Sequence, residues 1–145
     1  MKAVIQRVKH TALSVDGKLI SEIPFGLAVY LGVKCGDTED KATLMAGKIS
    51  RLRIFEDGNG KMNLSVKDIG GEVLLISQFT LYGDCSHGNR PSFTEAERPE
   101  AAEKLYLLTA EKLREHGLTV KTGVFGADMK IEQFNDGPVT VIYEI

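Results

Sequence analysis

The chain carries only two cysteines, Cys35 and Cys85, which lie far apart and outside any Cys-x-x-Cys spacing. A disulfide framework and a cysteine-based zinc site are therefore not expected. The three histidines, His10, His87 and His116, form no cluster and have no carboxylate pattern beside them, so the sequence offers no metal motif. No apolar run is long enough to cross a bilayer. Met1-Lys2-Ala3-Val4 opens into a strand pattern instead of a signal peptide, and a soluble cytoplasmic protein with no membrane partner is the expectation. Positive charge is not in excess either. The net charge is −2 and the pI is near 5.9, so whole-molecule attraction to nucleic acid is not implied. A local basic patch is left open, because Lys2, Arg7 and Lys9 near the start and Lys48, Arg51 and Arg53 further on would form one if the fold gathered them. No linker interrupts the 145 residues, and a hydrophobic content of 43% is enough for the core of a single domain over residues 1–145.

What the sequence does contain is organised around Val73-Leu74-Leu75-Ile76-Ser77-Gln78-Phe79-Thr80-Leu81, an apolar run that turns polar at its C-terminal end. Its β-branched and aliphatic residues, entered through Gly70-Gly71, predict a buried central strand. Alternation along that strand puts Gln78 and Thr80 on one side and Ser77, Phe79 and Leu81 on the other. A buried amide or hydroxyl without a partner costs about 1–3 kcal/mol, so these polar groups either find partners inside the fold or line a cleft that a polar ligand enters.

The flanking pattern predicts the remaining elements. Lys2 to His10 and Ala12 to Val15 read as strand, Asp16-Gly17 as a hairpin turn, and Lys18 to Ile23 as the return strand. Pro24-Phe25-Gly26 breaks it, and Leu27 to Val33 is a second apolar strand, buried on both faces. A helix is expected from about Thr38 to Leu52, capped by Asp37 or Thr38, with Ala42, Met45, Ile49 and Leu52 covering one face of the sheet. Two glycines within Glu56-Asp57-Gly58-Asn59-Gly60-Lys61 mark a hairpin that leads into Met62 to Val66. Tyr82 to Phe93 reads as a loop carrying Arg90. A second helix has Pro99 in its first turn, presents Ala101, Ala102, Leu105, Leu108 and Leu113 to the core, and stops at Gly117. Strands follow at Leu118 to Thr122, Met129 to Phe134 and Val139 to Ile145. Between the last two, Asn135-Asp136-Gly137-Pro138 combines an Asp-Gly hairpin signal with a proline that cannot donate to a ladder.

Ser77-Gln78-Phe79-Thr80-Leu81 and Asn135-Asp136-Gly137-Pro138-Val139-Thr140 resemble the two signature motifs of D-aminoacyl-tRNA deacylases. The resemblance extends through Ile5-Gln6-Arg7-Val8, Arg53-Ile54-Phe55, Gly60-Lys61-Met62-Asn63, Arg90-Pro91-Ser92-Phe93 and Thr122-Gly123-Val124-Phe125-Gly126-Ala127-Asp128-Met129, all in the family's order. It implies a single-domain α+β fold, with barrel-like β-sheets and two helices packed outside, related to editing domains of some threonyl-tRNA synthetases. It also implies a homodimer with its active site at the subunit interface. The implied reaction is hydrolysis of the ester between a D-amino acid and the terminal adenosine of tRNA, with removal of glycine from wrongly charged tRNA; no cofactor is expected. By the same likeness the Gly137–Pro138 bond is cis and acts in the other subunit's site, with Arg7 bracing the pair. Ser77, Gln78, Phe79 and Thr80 are then the catalytic set, and Gly137, Pro138, Arg7 and Met129 the substrate-binding set.

The residue types limit the mechanism. No serine, histidine and aspartate arrangement can be assembled from these motifs, and none of their polar groups is a good general base at neutral pH. An aminoacyl ester on a ribose is activated by the neighbouring hydroxyl, and backbone N–H donors to its oxyanion are worth about 3–4 kcal/mol each. Phe79 and Thr80 are the candidate donors. Two routes stay open: Thr80 as a nucleophile that forms an acyl-enzyme, or the ribose hydroxyl assisting water while the protein supplies geometry. A threonine with no base beside it is a poor nucleophile, which favours the second. Gln78 is a candidate contact to the adenosine or its ribose. Met129 is a candidate neighbour of the base, with plain core packing as its competing role, and Ser77 either satisfies the strand end or joins the site. Rigid backbone at Gly137-Pro138, occupying the space of an L side chain, would exclude L-substrates by collision and let glycine pass. The rival class is a module that binds the acceptor end without turnover, separable by release of the free amino acid. A small-molecule esterase is weakened by the missing triad.

Overall fold

The computed structural model describes residues 1–145, and its elements run β1 (Lys2–Val15), β2 (Lys18–Ile23), β3 (Gly26–Gly32), α1 (Glu39–Ser50), β4 (Phe55–Glu56), β5 (Met62–Leu64), β6 (Glu72–Ser77), a 3₁₀ turn (Phe79–Tyr82), α2 (Pro99–Glu115), β7 (Val120–Thr122) and β8 (Met129–Glu144). Asp16 and Gly17 adopt φ of 49° and 73°, the positive values a tight two-residue turn demands, and so β2 folds back on β1. Apolar strands that pair in parallel need crossovers. β3 reaches β6 through α1, and β6 reaches β7 through α2, with both pairings parallel. Where β3 enters the ladder, only glycine fits: a Cβ on Gly26 would lie 2.0 Å from the Glu72 carbonyl oxygen.

Alternation along these strands sorts the core into two faces. Leu27, Val29 and Leu31 of β3 and Val73 and Leu75 of β6 pack with Met45, Ile49, Leu105 and Leu113 of the helices in one cluster. Ala28, Leu74 and Ile76 point the opposite way, onto Leu13 and Ile23, with Met129 and Ile131 against them. β1 makes this second layer possible. It pairs with β8 along one edge; along the other, its first half pairs with β3 and its second half with β2. The resulting order is β2-β1-β3-β6-β7 with β8 on β1, and β2 touches β6 and β7, which curls the sheet into a nearly closed barrel. The expected α+β architecture, with two helices outside a barrel-like sheet, is the one observed.

Four local expectations are corrected. The central strand stops at Ser77, short of Leu81, because its partner β3 ends at Gly32; after Gln78 N–H donates to the Leu31 carbonyl, the chain winds into the 3₁₀ turn. Gln78 and Thr80 therefore do not share a strand face. The Asp136-Gly137 hairpin is absent, and β8 is one strand whose two halves both run antiparallel to β1, from Met129↔Val15 to Glu144↔Lys2. Register jumps from Val8↔Asn135 to Gln6↔Thr140, so 136–139 bulge out opposite Arg7, which leaves Pro138 outside the ladder it cannot donate to. Neither Asp37 nor Thr38 caps α1 by a side-chain bond. The Asp37 carboxylate is taken instead by the Met1 ammonium and Lys41 Nζ, each at 2.8 Å, and by Lys34 N–H at 2.7 Å. On α2, Ala101 faces solvent and Tyr106 is buried in its stead.

Candidate functional site

In an open α/β sheet, ligands enter where parallel strands end, since the chain leaves a crevice there as it departs for its helices. Here the carboxyl ends of β3 and β6 open into a cavity of about 640 Å³. Ser77, Gln78 and Phe79 form one wall, Met129 and Phe125 another, and Arg98, Ala102 and Tyr106, along the first half of α2, a third. Phe79 is 57% exposed at the mouth and meets Phe93 edge-on, with ring centroids 5.1 Å apart. The start of the 3₁₀ turn supplies the donors. The N–H groups of Phe79 and Thr80 bond to no acceptor in the chain, as expected for the first residues of any helical turn.

Thr80 is exposed, and its hydroxyl is hydrogen-bonded by Gln78 Nε2, a group that cannot accept a proton. No carboxylate or imidazole touches it. Tyr106 donates its hydroxyl to the Leu75 carbonyl at 2.8 Å, and burial pushes its pKa up to about 12, so at neutral pH it is an uncharged wall. Nowhere do three His, Cys, Asp or Glu side chains gather as metal ligands.

The second motif lies elsewhere. Arg7 is 7% exposed, donating through Nη1 to the Ile54 carbonyl at 2.9 Å and through Nε to the Asp136 carbonyl at 3.1 Å. Its Nε also lies 3.3 Å from Asp136 Oδ2, and Lys9 holds Oδ1 at 3.3 Å. Gly137 follows with φ of 121°, a value L side chains rarely adopt; a Cβ there would stand 3.2 Å from Arg7 Nη2. The Gly137–Pro138 bond is cis, and both residues are exposed. Arg7 pairs with Leu27, at the start of β3, whereas the cavity begins at Leu31, about 13 Å further along a strand. The chain thus gathers Ser77, Gln78, Phe79 and Met129 in the cavity, with Thr80 beside them. Arg7, Gly137 and Pro138 form a separate constellation, with Arg7 buried behind the exposed glycine and proline.

Sequence reasoning assigned no role to Phe93, Arg98, Tyr106 or Phe125, which also line the cavity. Phe93 and Phe125 lay inside segments already singled out, but nothing in those segments placed their rings beside Ser77. A tyrosine on the apolar side of α2 was the available signal for Tyr106.

Fold and cavity together define a small α+β protein whose main cleft offers backbone donors and aromatic walls and no nucleophile–base pair. Residues 4–144 match the family model described as D-Tyr-tRNA(Tyr) deacylase. A D-aminoacyl-tRNA deacylase of Bacillus cereus is 54% identical over 144 residues, covering 99% of both chains, and one of Bacillus cytotoxicus is 53% identical over the same span. Among solved structures, the c-Myc DNA unwinding element binding protein superposes with a TM-score of 0.92 at 43% identity, covering 100% of this chain and 99% of its own. A probable eukaryotic D-amino acid tRNA deacylase, at 17% identity, shares the fold with a TM-score of 0.88 over 99% of this chain and 98% of its own. The chain belongs to the D-aminoacyl-tRNA deacylase family of hydrolases.

Proposed function

We propose that the protein hydrolyses the ester of D-aminoacyl-tRNA in the cytoplasm, releasing the D-amino acid and tRNA, rejecting L-aminoacyl-tRNA and also removing glycine from wrongly charged tRNA. The observation that carries the chemistry is the pair of unpartnered N–H groups at Phe79 and Thr80, beside a hydroxyl that has only an amide for a neighbour. In this reading the terminal adenosine enters the cavity between Phe93, Phe125 and Met129, with Gln78 and Ser77 turned to its ribose. The ester carbonyl points at the two N–H donors, which hold the oxyanion as water attacks. The neighbouring ribose hydroxyl assists that water, because Thr80 has no base to make it a nucleophile.

The separation of the two motifs within one chain supports a homodimer. Gly137 and Pro138 are exposed and remote from the chain's own cavity, so they serve the site by entering that of a second copy. There the Gly137 and Pro138 carbonyls accept from the substrate ammonium, and the backbone fills the space of an L side chain, which glycine lacks. Arg7 fixes this segment from behind through the Asp136 carbonyl.

The test follows ester loss from D-tyrosyl-tRNA, L-tyrosyl-tRNA and glycyl-tRNA with purified protein, alongside its mass in solution. Fast loss of the D and glycyl esters by a dimer, with the L ester intact, is the expected result. Loss of none of them from folded protein would sink the reading in favour of a non-catalytic binding module.

A further inference from the structure

Of the basic residues that a fold could have gathered into one patch, those near the start are engaged locally. Arg7 is buried on Ile54 and Asp136, Lys9 pairs with Asp136, and Lys2 with Glu144. Arg51 and Arg53 meet other partners. With Lys67, His116, Ser50 and Ser65 they line a wholly polar cavity of about 410 Å³ at the C-terminal ends of α1 and α2. Gly47 makes room for it: a Cβ there would lie 3.2 Å from Arg51 Nη2 and 3.7 Å from His116 Nε2, so guanidinium and imidazole meet over bare helix backbone.

The charge of this cavity is not explained by the fold. Asp68 is its one carboxylate, held by Ser65 N–H at 2.8 Å and Ser65 Oγ at 2.7 Å. Lys67 Nζ donates to the His116 carbonyl at 2.9 Å and so answers the negative end of α2. Arg51, Arg53 and Lys67 against Asp68 leave +2, and two helix ends of about −0.5 each reduce this only to about +1. That excess sits in a chain of net charge −2. Both arginine side chains are exposed and bond to no carboxylate or carbonyl of the chain, which leaves two planar forks whose donor spacing suits phosphate oxygens.

We propose that this cavity seats a backbone phosphate of the RNA whose 3′ end occupies the cavity at Ser77, Gln78 and Phe79; the proposal rests on the deacylase reading. α2 connects the two cavities, with Arg98 and Ala102 lining the first and His116 the second. Tyr106, the last residue of α2 on the first cavity, stands ten residues before His116, about 15 Å along the helix, or roughly four stacked nucleotides at ~3.4 Å each. The phosphate bound here therefore belongs to the strand a few nucleotides behind the terminal adenosine, beyond the reach of a free nucleotide in the first cavity.

Kinetics of the Arg51→Gln/Arg53→Gln double variant test this with two substrates, D-tyrosyl-tRNA and D-tyrosyl-adenosine. For the tRNA, KM rises about tenfold, kcat stays within about twofold, and the slope of log KM against log salt falls by about one to two; the adenosine ester is cleaved as by wild type. Unchanged KM and salt slope for the tRNA, or equal loss on both substrates, overturns the proposal. Titration with inorganic phosphate, read by amide NMR shifts at Arg51 and Arg53, is the second arm. Binding there with tRNA kinetics unaltered makes this a small-anion site and likewise overturns the assignment to RNA. If wild-type protein cleaves neither substrate, the deacylase reading fails separately, and fluorescence anisotropy with uncharged tRNA still decides the cavity. A weaker Kd for the double variant supports it, and an equal Kd refutes it.

Discussion

Arg7 Nε donates to the carbonyl oxygen of Asp136 at 3.1 Å, across 129 positions of sequence, and so ties the middle of β1 to the bulge of β8. The same guanidinium reaches Ile54 at 2.9 Å, which makes one buried side chain the junction of three segments. Its removal strands two carbonyl groups and leaves the Asp136 carboxylate to Lys9 alone. Arg7→Ala is expected to lower stability by about 2–4 kcal/mol in urea denaturation and to cut turnover of D-tyrosyl-tRNA by at least tenfold. Full stability with full activity would show that the bulge holds itself.

Thr80 has an amide neighbour and no base. Thr80→Ala keeps the backbone N–H groups and is expected to retain activity within about tenfold of wild type. Single-turnover assays quenched in acid check this by mass spectrometry. A trapped acyl-enzyme on wild-type protein, absent in the variant, would make Thr80 the nucleophile.

Gly137→Ala adds a methyl group 3.2 Å from Arg7 Nη2 and 2.9 Å from Val139 Cγ2, at a φ of 121° that disfavours any side chain. The bulge must shift. Discrimination between D- and L-tyrosyl-tRNA, measured as the ratio of kcat/KM values, is expected to fall by at least tenfold, with folding retained because both residues 137 and 138 face solvent. An unchanged ratio would remove this segment from chiral selection.

Burial works to raise the pKa of Asp37, but bonds from Lys41, the Met1 ammonium and the Lys34 N–H outweigh it and hold the carboxyl below its ordinary value. A group depressed in the folded state stabilises fully above its unfolded pKa of about 4 and loses that contribution as pH falls toward the folded value. The stability gap between wild type and Asp37→Asn should therefore be constant near pH 7 and shrink below about pH 4. Urea melts of both proteins at pH 7, 5 and 3 check the sign; a gap that widens in acid would contradict it.

Much of this molecule can be read without coordinates, and the reason is physical. Positive φ at Asp16 and Gly17, Pro99 in the first turn of α2 and Gly117 at its end are choices made by neighbouring residues, so the hairpin and the helix bounds were legible in the sequence. Period-two alternation in β3 and β6 likewise separates the two core faces. Ser77 to Leu81 and Asn135 to Thr140 carried the family resemblance because each is an unbroken run that can be matched residue by residue.

Where a strand ends is a different kind of fact, since a ladder lasts only as long as its partner. β6 stops at Ser77 because β3 stops at Gly32, and β8 runs straight through Asp136-Gly137 because β1 offers partners on both sides of the bulge. The meeting of Arg51, Arg53, Lys67 and His116 is also tertiary, set by two helices ending at one place. Local signals choose the conformation of a residue, but only the packed sheet decides which distant residue it meets. Residue order alone carried the family and its two signature segments, whereas the packed sheet set those segments apart in one chain.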